Sequence, residues 1–265
     1  MSRDWLAEIV QNKRGEIAER IAAVSVANLK AACAKVQDRP DFMSAVTGGR
    51  MGLIAEVKRR SPSAGAIREP FDPAAIARAY EAAGAQAVSV LMDRVYFGGG
   101  EEDFQMVRAA IGLPMLYKEF VVDPWQIWHA ASLGASAILL IAGVLNEEEL
   151  RDMMEVCKEA GLAPLVEVHD ELELNLALAA GAPCIGINNR NLKTFVTTLD
   201  TTYTLFKKVP AGCPVISESG IRTAEDVVGL QAAGIKGVLV GEHLLRQSDP
   251  GEAVNVLMGS AWACS

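Results

Sequence analysis

The chain has 265 residues, 51% of them hydrophobic, which is enough apolar material to fill one barrel-sized domain more readily than two small ones. Its net charge is −8 and its longest basic run is Lys58-Arg59-Arg60, which argues against nucleic acid as a partner. The longest nearly uncharged apolar stretch, 134–145, falls short of the roughly 18 residues that suggest a membrane span, and Met1-Ser2-Arg3-Asp4-Trp5 leads into alternating charge rather than a signal-peptide core, so a cytoplasmic location is expected.

In chain order, Trp5, Leu6, Ile9, Val10, Ile17, Ile21 and Val24 recur at helical spacing. They predict a helical extension over 1–47 ahead of a barrel over 48–265. The extension reads equally as a cap over the mouth of the fold and as a plain stabilising segment. A strand candidate, Gly52–Lys58, follows. Then a unit repeats in which a helix-like segment stops at a glycine and an apolar run begins almost at once. Gly84 precedes 87–91, Gly134 precedes 137–141, Gly161 precedes 164–168, Gly181 precedes 184–187, and Gly234 precedes 238–240. Each glycine suits the left-handed position that closes a helix. Gly84 and Gly234 lie 150 positions apart, and the two long gaps each hide one more unit, with strands at 114–119 and 213–217.

The predicted strands therefore begin near Gly52, Ala87, Pro114, Ala137, Ala163, Cys184, Pro214 and Gly237. Their near-continuous apolar character marks parallel strands buried on both faces, and eight of them interleaved with helices predict a single α/β domain, a (β/α)8 or TIM barrel. A doubly wound open sheet is the alternative, but no Gly-x-Gly-x-x-Gly follows the first strand.

Barrel enzymes build their sites at the C-terminal ends of the strands, so polar residues ending apolar runs are the candidates. The first strand ends Glu56-Val57-Lys58, the third Lys118-Glu119-Phe120, the fifth Glu167-Val168-His169, the sixth Asn188-Asn189-Arg190 and the seventh Glu218-Ser219-Gly220. Alternation sends Glu56 and Lys58 to one face. For any one of these residues, a salt bridge that merely closes the barrel is an alternative role. So many charges at one mouth favour chemistry, and either Lys58 or Lys118 is placed to serve as a proton donor. Ser219-Gly220 and Gly241-Glu242, each before a helix at the last two strand ends, point to a phosphorylated small-molecule substrate.

The segments Ile54-Ala55-Glu56-Val57-Lys58-Arg59-Arg60-Ser61-Pro62-Ser63, Lys118-Glu119-Phe120, Pro164-Leu165-Val166-Glu167-Val168-His169, Gly186-Ile187-Asn188-Asn189-Arg190-Asn191-Leu192 and Ser217-Glu218-Ser219-Gly220-Ile221 resemble one family, the indole-3-glycerol-phosphate synthases, from about Leu6 to Val256. The resemblance implies a carboxy-lyase of tryptophan biosynthesis. It would close 1-(2-carboxyphenylamino)-1-deoxyribulose 5-phosphate to indole-3-glycerol phosphate with loss of carbon dioxide and water, without a cofactor. It implies Lys118 as general acid and Glu167 as general base, with Glu56, Lys58, Asn188 and Glu218 as the supporting catalytic shell. Pro62, Phe97, Phe120, Leu139 and Leu192 would form the apolar wall around the ring, and Arg190 a further substrate contact. Ser219, Gly220, Gly241 and Glu242 would form the phosphate end, with Ser61 or Lys58 adding a contact and the Glu242 carboxylate turned away.

Met92, Arg94 and Gly100 depart from the family pattern, where threonine, an acid and serine are usual. No metal is expected, since the three histidines lack His-x-x-x-His spacing and the five cysteines form no Cys-x-x-Cys pair. A monomer is expected, with a weak dimer as the alternative. The rival readings are an isomerase or epimerase of a phosphorylated ketose, which Lys118 with Glu167 fits poorly, and a non-catalytic metabolite-binding barrel, which has no use for so many charges in one cavity.

Overall fold

The computed structural model describes residues 5–36, 39–62, 64–191 and 196–263. Eight parallel strands close into a barrel: β1 (Gly52–Val57), β2 (Ala87–Leu91), β3 (Met115–Lys118), β4 (Ala137–Ile141), β5 (Ala163–Val168), β6 (Ile185–Asn188), β7 (Val215–Glu218) and β8 (Gly237–Val240). Each pairs with its sequence neighbours, and β1 also pairs with β8, Gly52 standing opposite Gly237. The predicted starts agree to within one residue. Gly84, Gly134, Gly161, Gly181 and Gly234 all have positive φ, so each predicted stop is a left-handed helix end.

Strand pleating divides the core in two. Leu53, Ala55, Val88, Val90, Tyr117, Ile138, Val166 and Ile187 pack under the surrounding helices, whereas Ile54, Leu116, Leu139, Leu165, Ile216 and Leu239 form a separate cluster inside the barrel. Stepping two residues along a strand returns to the same face, towards the C-terminal mouth. From the interior residues that step leads to Glu56, Lys118, Ile141, Glu167, Glu218 and Gly241. An aliphatic layer thus underlies a ring of charge.

The chain before the barrel contributes at both ends. Helix α1 (Trp5–Ala23) places Trp5, Leu6 and Ile9 at the mouth, and α2 (Val26–Cys33) packs on the helix Pro124–Ser132. Helix α3 (Phe42–Thr47) inserts Phe42 and Val46 into the interior cluster. Val46 lies beside Gly52 and Gly237, where added Cβ atoms would press on it, so α3 plugs the N-terminal end. The apolar stripe of α1 differs from the spacing read in the sequence. Its buried residues are Ile9, Lys13 and Ile17, whereas Ile21 and Val24 are exposed.

Lys13 has no solvent exposure, and its Nζ lies 2.7 Å from Glu16, 3.1 Å from Asp93 and 3.0 Å from Glu119. Burial opposes its charge, but the three carboxylates outweigh it and raise its pKa above the ordinary lysine value. Glu119 is pushed up to about 7 by burial, against the pull of Lys13. Removing one partner of a buried ion cluster leaves uncompensated charge, so Lys13→Met is expected to cost about 3–5 kcal/mol in urea unfolding. Without Lys13 the Glu119 carboxyl rises further. A carboxylate with a raised folded-state pKa loses stability as pH climbs above its unfolded value, so the deficit should be larger near pH 8 than near pH 6.

Candidate active site

The mouth encloses a cavity of about 510 Å³. Every site residue read from the sequence lines it except Leu192, which lies outside the described residues. At its centre Lys118 Nζ sits 2.8 Å from Glu218 Oε2 and 3.2 Å from Glu167 Oε2. Lys58 Nζ lies 2.5 Å from Glu56 Oε1, an ion pair on one face, as alternation predicts. Asn188 stands beside Glu167 and helps to hold its carboxyl down, and its Oδ1 accepts from the backbone of Arg190. Two glycines make room for these acids: a Cβ at Gly186 would overlap Glu218 Oε1, and one at Gly241 would overlap Glu56 Oε1.

Burial and pairing compete at each of these groups. Burial disfavours the Lys118 cation, but Glu218, Glu167 and Glu56 outweigh it and hold the ammonium charged. Burial raises Glu218 to about 7 against the pull of Lys118, with the Glu167 charge adding to the rise. Glu167 is also buried, yet Lys118 and His169 together hold it well below the usual carboxylate range. The two carboxylates therefore differ in charge state near neutrality, Glu167 ionised and Glu218 close to its titration point. Carboxylates driven apart by their surroundings suit different tasks in proton transfer.

One side of the cavity is apolar. Phe97 and Phe120 face each other with ring centroids 6.1 Å apart. Asp93 caps the turn Arg94–Phe97, its Oδ1 accepting from Tyr96 N at 2.6 Å and Phe97 N at 3.3 Å, and Glu119 Oε1 accepts from Phe120 N at 2.8 Å. Both acids are partners of Lys13, so α1, Phe97 and Phe120 share one anchor. Gly98 has φ 69°, and a Cβ at Gly99 would overlap the Leu91 carbonyl, so the loop between β2 and its helix requires both glycines. Of the departures noted in that loop, Met92 is buried and Arg94 is exposed. Gly100 leaves the helix Glu101–Ala110 without a side-chain cap, and Glu101, Glu102 and Asp103 place negative charge at its first turn.

At the opposite side, Ser219 and Gly220 have φ 65° and 82°, and Ser219 is the sole non-glycine with positive φ among the described residues. Such strain persists where surrounding structure over-determines it, frequently at functional sites. Asn189 supplies that structure: its Nδ2 donates to the carbonyls of Glu218 and Ser219 at 3.0 Å, and its Oδ1 accepts from Thr202. Gly241 precedes the short turn Glu242–Leu245. The Glu242 carboxylate pairs with Arg246 at 2.9 Å and with Arg190 at 3.6 Å.

The model of the indole-3-glycerol phosphate synthase family matches residues 6–257. The chain belongs to this family. It is 45% identical over 258 residues to the indole-3-glycerol phosphate synthase of Acidithiobacillus ferrooxidans, an alignment covering 96% of this chain and 98% of that one. The enzyme of the same name from Aromatoleum aromaticum is 44% identical over 260 residues, covering 97% and 99%. Among solved structures, a thiamine phosphate pyrophosphorylase from Pyrococcus furiosus superposes with a TM-score of 0.60 at 16% identity, covering 80% of this chain and 96% of that one. An N-acetylmannosamine-6-phosphate 2-epimerase from Clostridium perfringens does so with a TM-score of 0.60 at 17%, covering 83% and 96%. At those identities the likeness is one of fold. Membership of the synthase family makes the chain an enzyme, a carboxy-lyase of tryptophan biosynthesis.

In this synthase-family barrel several contributors to the site went unread in the sequence. Trp5, Leu6 and Ile9 line the cavity from α1, and Thr197 and Arg222 from loops. The helical spacing showed that α1 has an apolar face and left open a cap over the mouth or a plain stabilising segment; Trp5, Leu6 and Ile9 in the lining favour the cap. The task of Asn189 is not legible in the sequence, since nothing local distinguishes the asparagine that lines a cavity from its neighbour that ties a turn. No helix among the described residues is long and apolar enough to cross a membrane. Among the same residues, no group of three or more His, Cys, Asp or Glu side chains is placed to hold a metal ion.

Proposed function

We propose that the cavity binds 1-(2-carboxyphenylamino)-1-deoxyribulose 5-phosphate across its width and closes the indole ring at its centre. The carboxyphenyl ring packs against the pair Phe97 and Phe120, with Pro62 and Leu139 completing the wall; Leu192, expected there too, lies outside the described residues. The phosphate meets backbone N–H groups at Ser219-Gly220 and Gly241-Glu242, with Ser61 or Lys58 beside it. The reading is carried by Lys118, whose Nζ bridges Glu167 and Glu218 in a cavity lined both by an apolar wall and by a pair of glycine turns.

The aromatic carbon attacks the ketone carbonyl, and Lys118, held as an ammonium, delivers a proton to the carbonyl oxygen. Loss of carbon dioxide restores the aromatic ring. Glu167 then takes a proton from the methylene carbon beside the ring nitrogen as the hydroxyl departs and passes that proton to it, so that water leaves, and solvent recharges Lys118. Glu218 and Glu56 keep Lys118 charged, and Asn188 orients Glu167. When Lys118 releases its proton, Glu167 loses one of its two cations, so its basicity rises at the stage that needs it. Arg190 holds Glu242 away from the phosphate end and gives it a positive neighbour. All these groups come from one chain, so the reading requires no second copy.

Incubation of the purified protein with this substrate should produce indole fluorescence, and a substrate consumed without a fluorescent product overturns the reading. Soaked inorganic phosphate is expected at the two glycine turns. A crystal with phosphate bound elsewhere and both turns empty removes that part of the assignment.

A further inference from the structure

His169, just past the end of β5, is absent from the lining of the cavity, yet it touches the proposed base. Its Nε2 lies 3.3 Å from Glu167 Oε1 and its Nδ1 lies 2.9 Å from Glu173 Oε2. The same Glu173 oxygen accepts from the His169 backbone N at 2.8 Å, so ring and main chain are fixed to one carboxylate. Glu173 stands in the first turn of the helix Glu171–Ala180, where Asp170 caps its own N–H at 3.0 Å. Across from it Gly143 leaves room, since a Cβ there would run into Glu173 Oε1.

Ionised carboxylates only accept hydrogen bonds, and a neutral imidazole has one donor nitrogen and one acceptor. With a carboxylate oxygen at each nitrogen, a neutral ring would direct a lone pair at one of them. An imidazolium suits this arrangement: Nδ1 hydrogen-bonds Glu173, and a protonated Nε2, buried without a hydrogen-bond partner of its own, meets Glu167 Oε1 at 3.3 Å as an ion pair instead of facing it with a lone pair. Glu167 then carries a different cation on each oxygen, Lys118 on Oε2 and His169 on Oε1.

Those two cations differ in what happens to them during turnover. Lys118 faces the cavity and gives up its proton in the proposed reaction. His169 stands on the far carboxylate oxygen of the base and outside the cavity lining, its side chain 10% exposed. We propose that His169 is a positioning residue, a fixed imidazolium clamped by Glu173 that orients Glu167 and keeps it ionised until the step in which it takes its proton. This rests on Glu167 being the base. The charged groups facing the pair are Glu173 from the following helix, Lys118 from β3 and Glu218 from β7. Burial lowers the imidazole pKa, but the carboxylates of Glu167 and Glu173 outweigh it and push it up to about 10, so the cation persists across the neutral range.

Two measurements test the proposal. In the 15N spectrum of the histidine-labelled wild-type protein, which has three histidines, His169 is expected to show both ring nitrogens protonated at pH 8. A neutral ring at that pH overturns the proposal without any variant. The second is the pH profile of kcat for His169→Gln. Removing an opposite charge at this range is expected to move the acid limb, set by protonation of Glu167, upward by about 1–3 pH units with little change in KM. His169→Lys should return the limb towards its wild-type position. A merely structural histidine would alter melting temperature and leave the limb in place. If Glu167→Gln is inactive and the His169→Gln profile superimposes on wild type, this inference fails and the base assignment stands. If Glu167→Gln keeps wild-type turnover, the base assignment fails and the inference with it.

Discussion

Lys118→Ala is expected to lower kcat by about 10²–10⁴-fold, the range supplied by a positioned proton donor. The ammonium is held at the centre of the cavity by Glu218 at 2.8 Å and Glu167 at 3.2 Å, and alanine leaves nothing there to deliver a proton. Substrate affinity should fall far less, because the ring wall and the glycine turns belong to other residues. The fold should survive. Loss of Lys118 leaves two buried carboxylates, but Glu218 is already raised to about 7 and takes up a proton at little further cost. A carboxyl raised in the folded state loses stability as pH climbs above its unfolded value, so the variant should be most stable on the acid side of neutrality. Single-turnover kinetics beside Lys58→Ala decides the assignment. Near wild-type turnover in Lys118→Ala with a dead Lys58→Ala would make Lys58 the acid.

Glu167→Gln is expected to lower kcat by a similar factor, about 10²–10⁴-fold, for a different step. Glutamine preserves the shape and can still accept from Lys118, but it cannot take a proton as the hydroxyl leaves. It also removes the like charge that helps to raise Glu218, so Glu218 should stay ionised to lower pH and hold Lys118 alone. Condensation and dehydration are successive, so the two variants need not lose equal amounts. Whichever step limits the wild type exposes its own catalyst, and loss of the other is masked until its step becomes limiting. An accumulating, ring-closed but undehydrated species in Glu167→Gln would mark the step. Unchanged turnover with unchanged affinity would show that the carboxylate serves only to hold Lys118.

Much of this site was legible because it obeys a short period. Glu56, Lys118, Glu167 and Glu218 each stand in the last two positions of a strand and two positions beyond an interior aliphatic residue, and pleating alone puts both on one face. Helix-stopping glycines were legible for a similar reason, since a left-handed residue is needed at the end of the helix wherever the helix goes. The family segments added the division of labour between Lys118 and Lys58, which strand-end placement left equal.

Read alone, the sequence determined the eight strands, their order and the polar ring at their ends, all of which depend on residues within a few positions of one another. Only the tertiary structure decided what surrounds that ring. Lys13 occupies a helical position that periodicity assigns to an apolar residue, and it is tolerated because Asp93 and Glu119, brought in by two different strands, meet it when the barrel closes. The same closure places Trp5 at the mouth, Phe42 in the floor and the imidazole of His169 between Glu167 and Glu173. Burial of a charge is stabilised or penalised by partners that lie far away in the chain, and no local pattern specifies them.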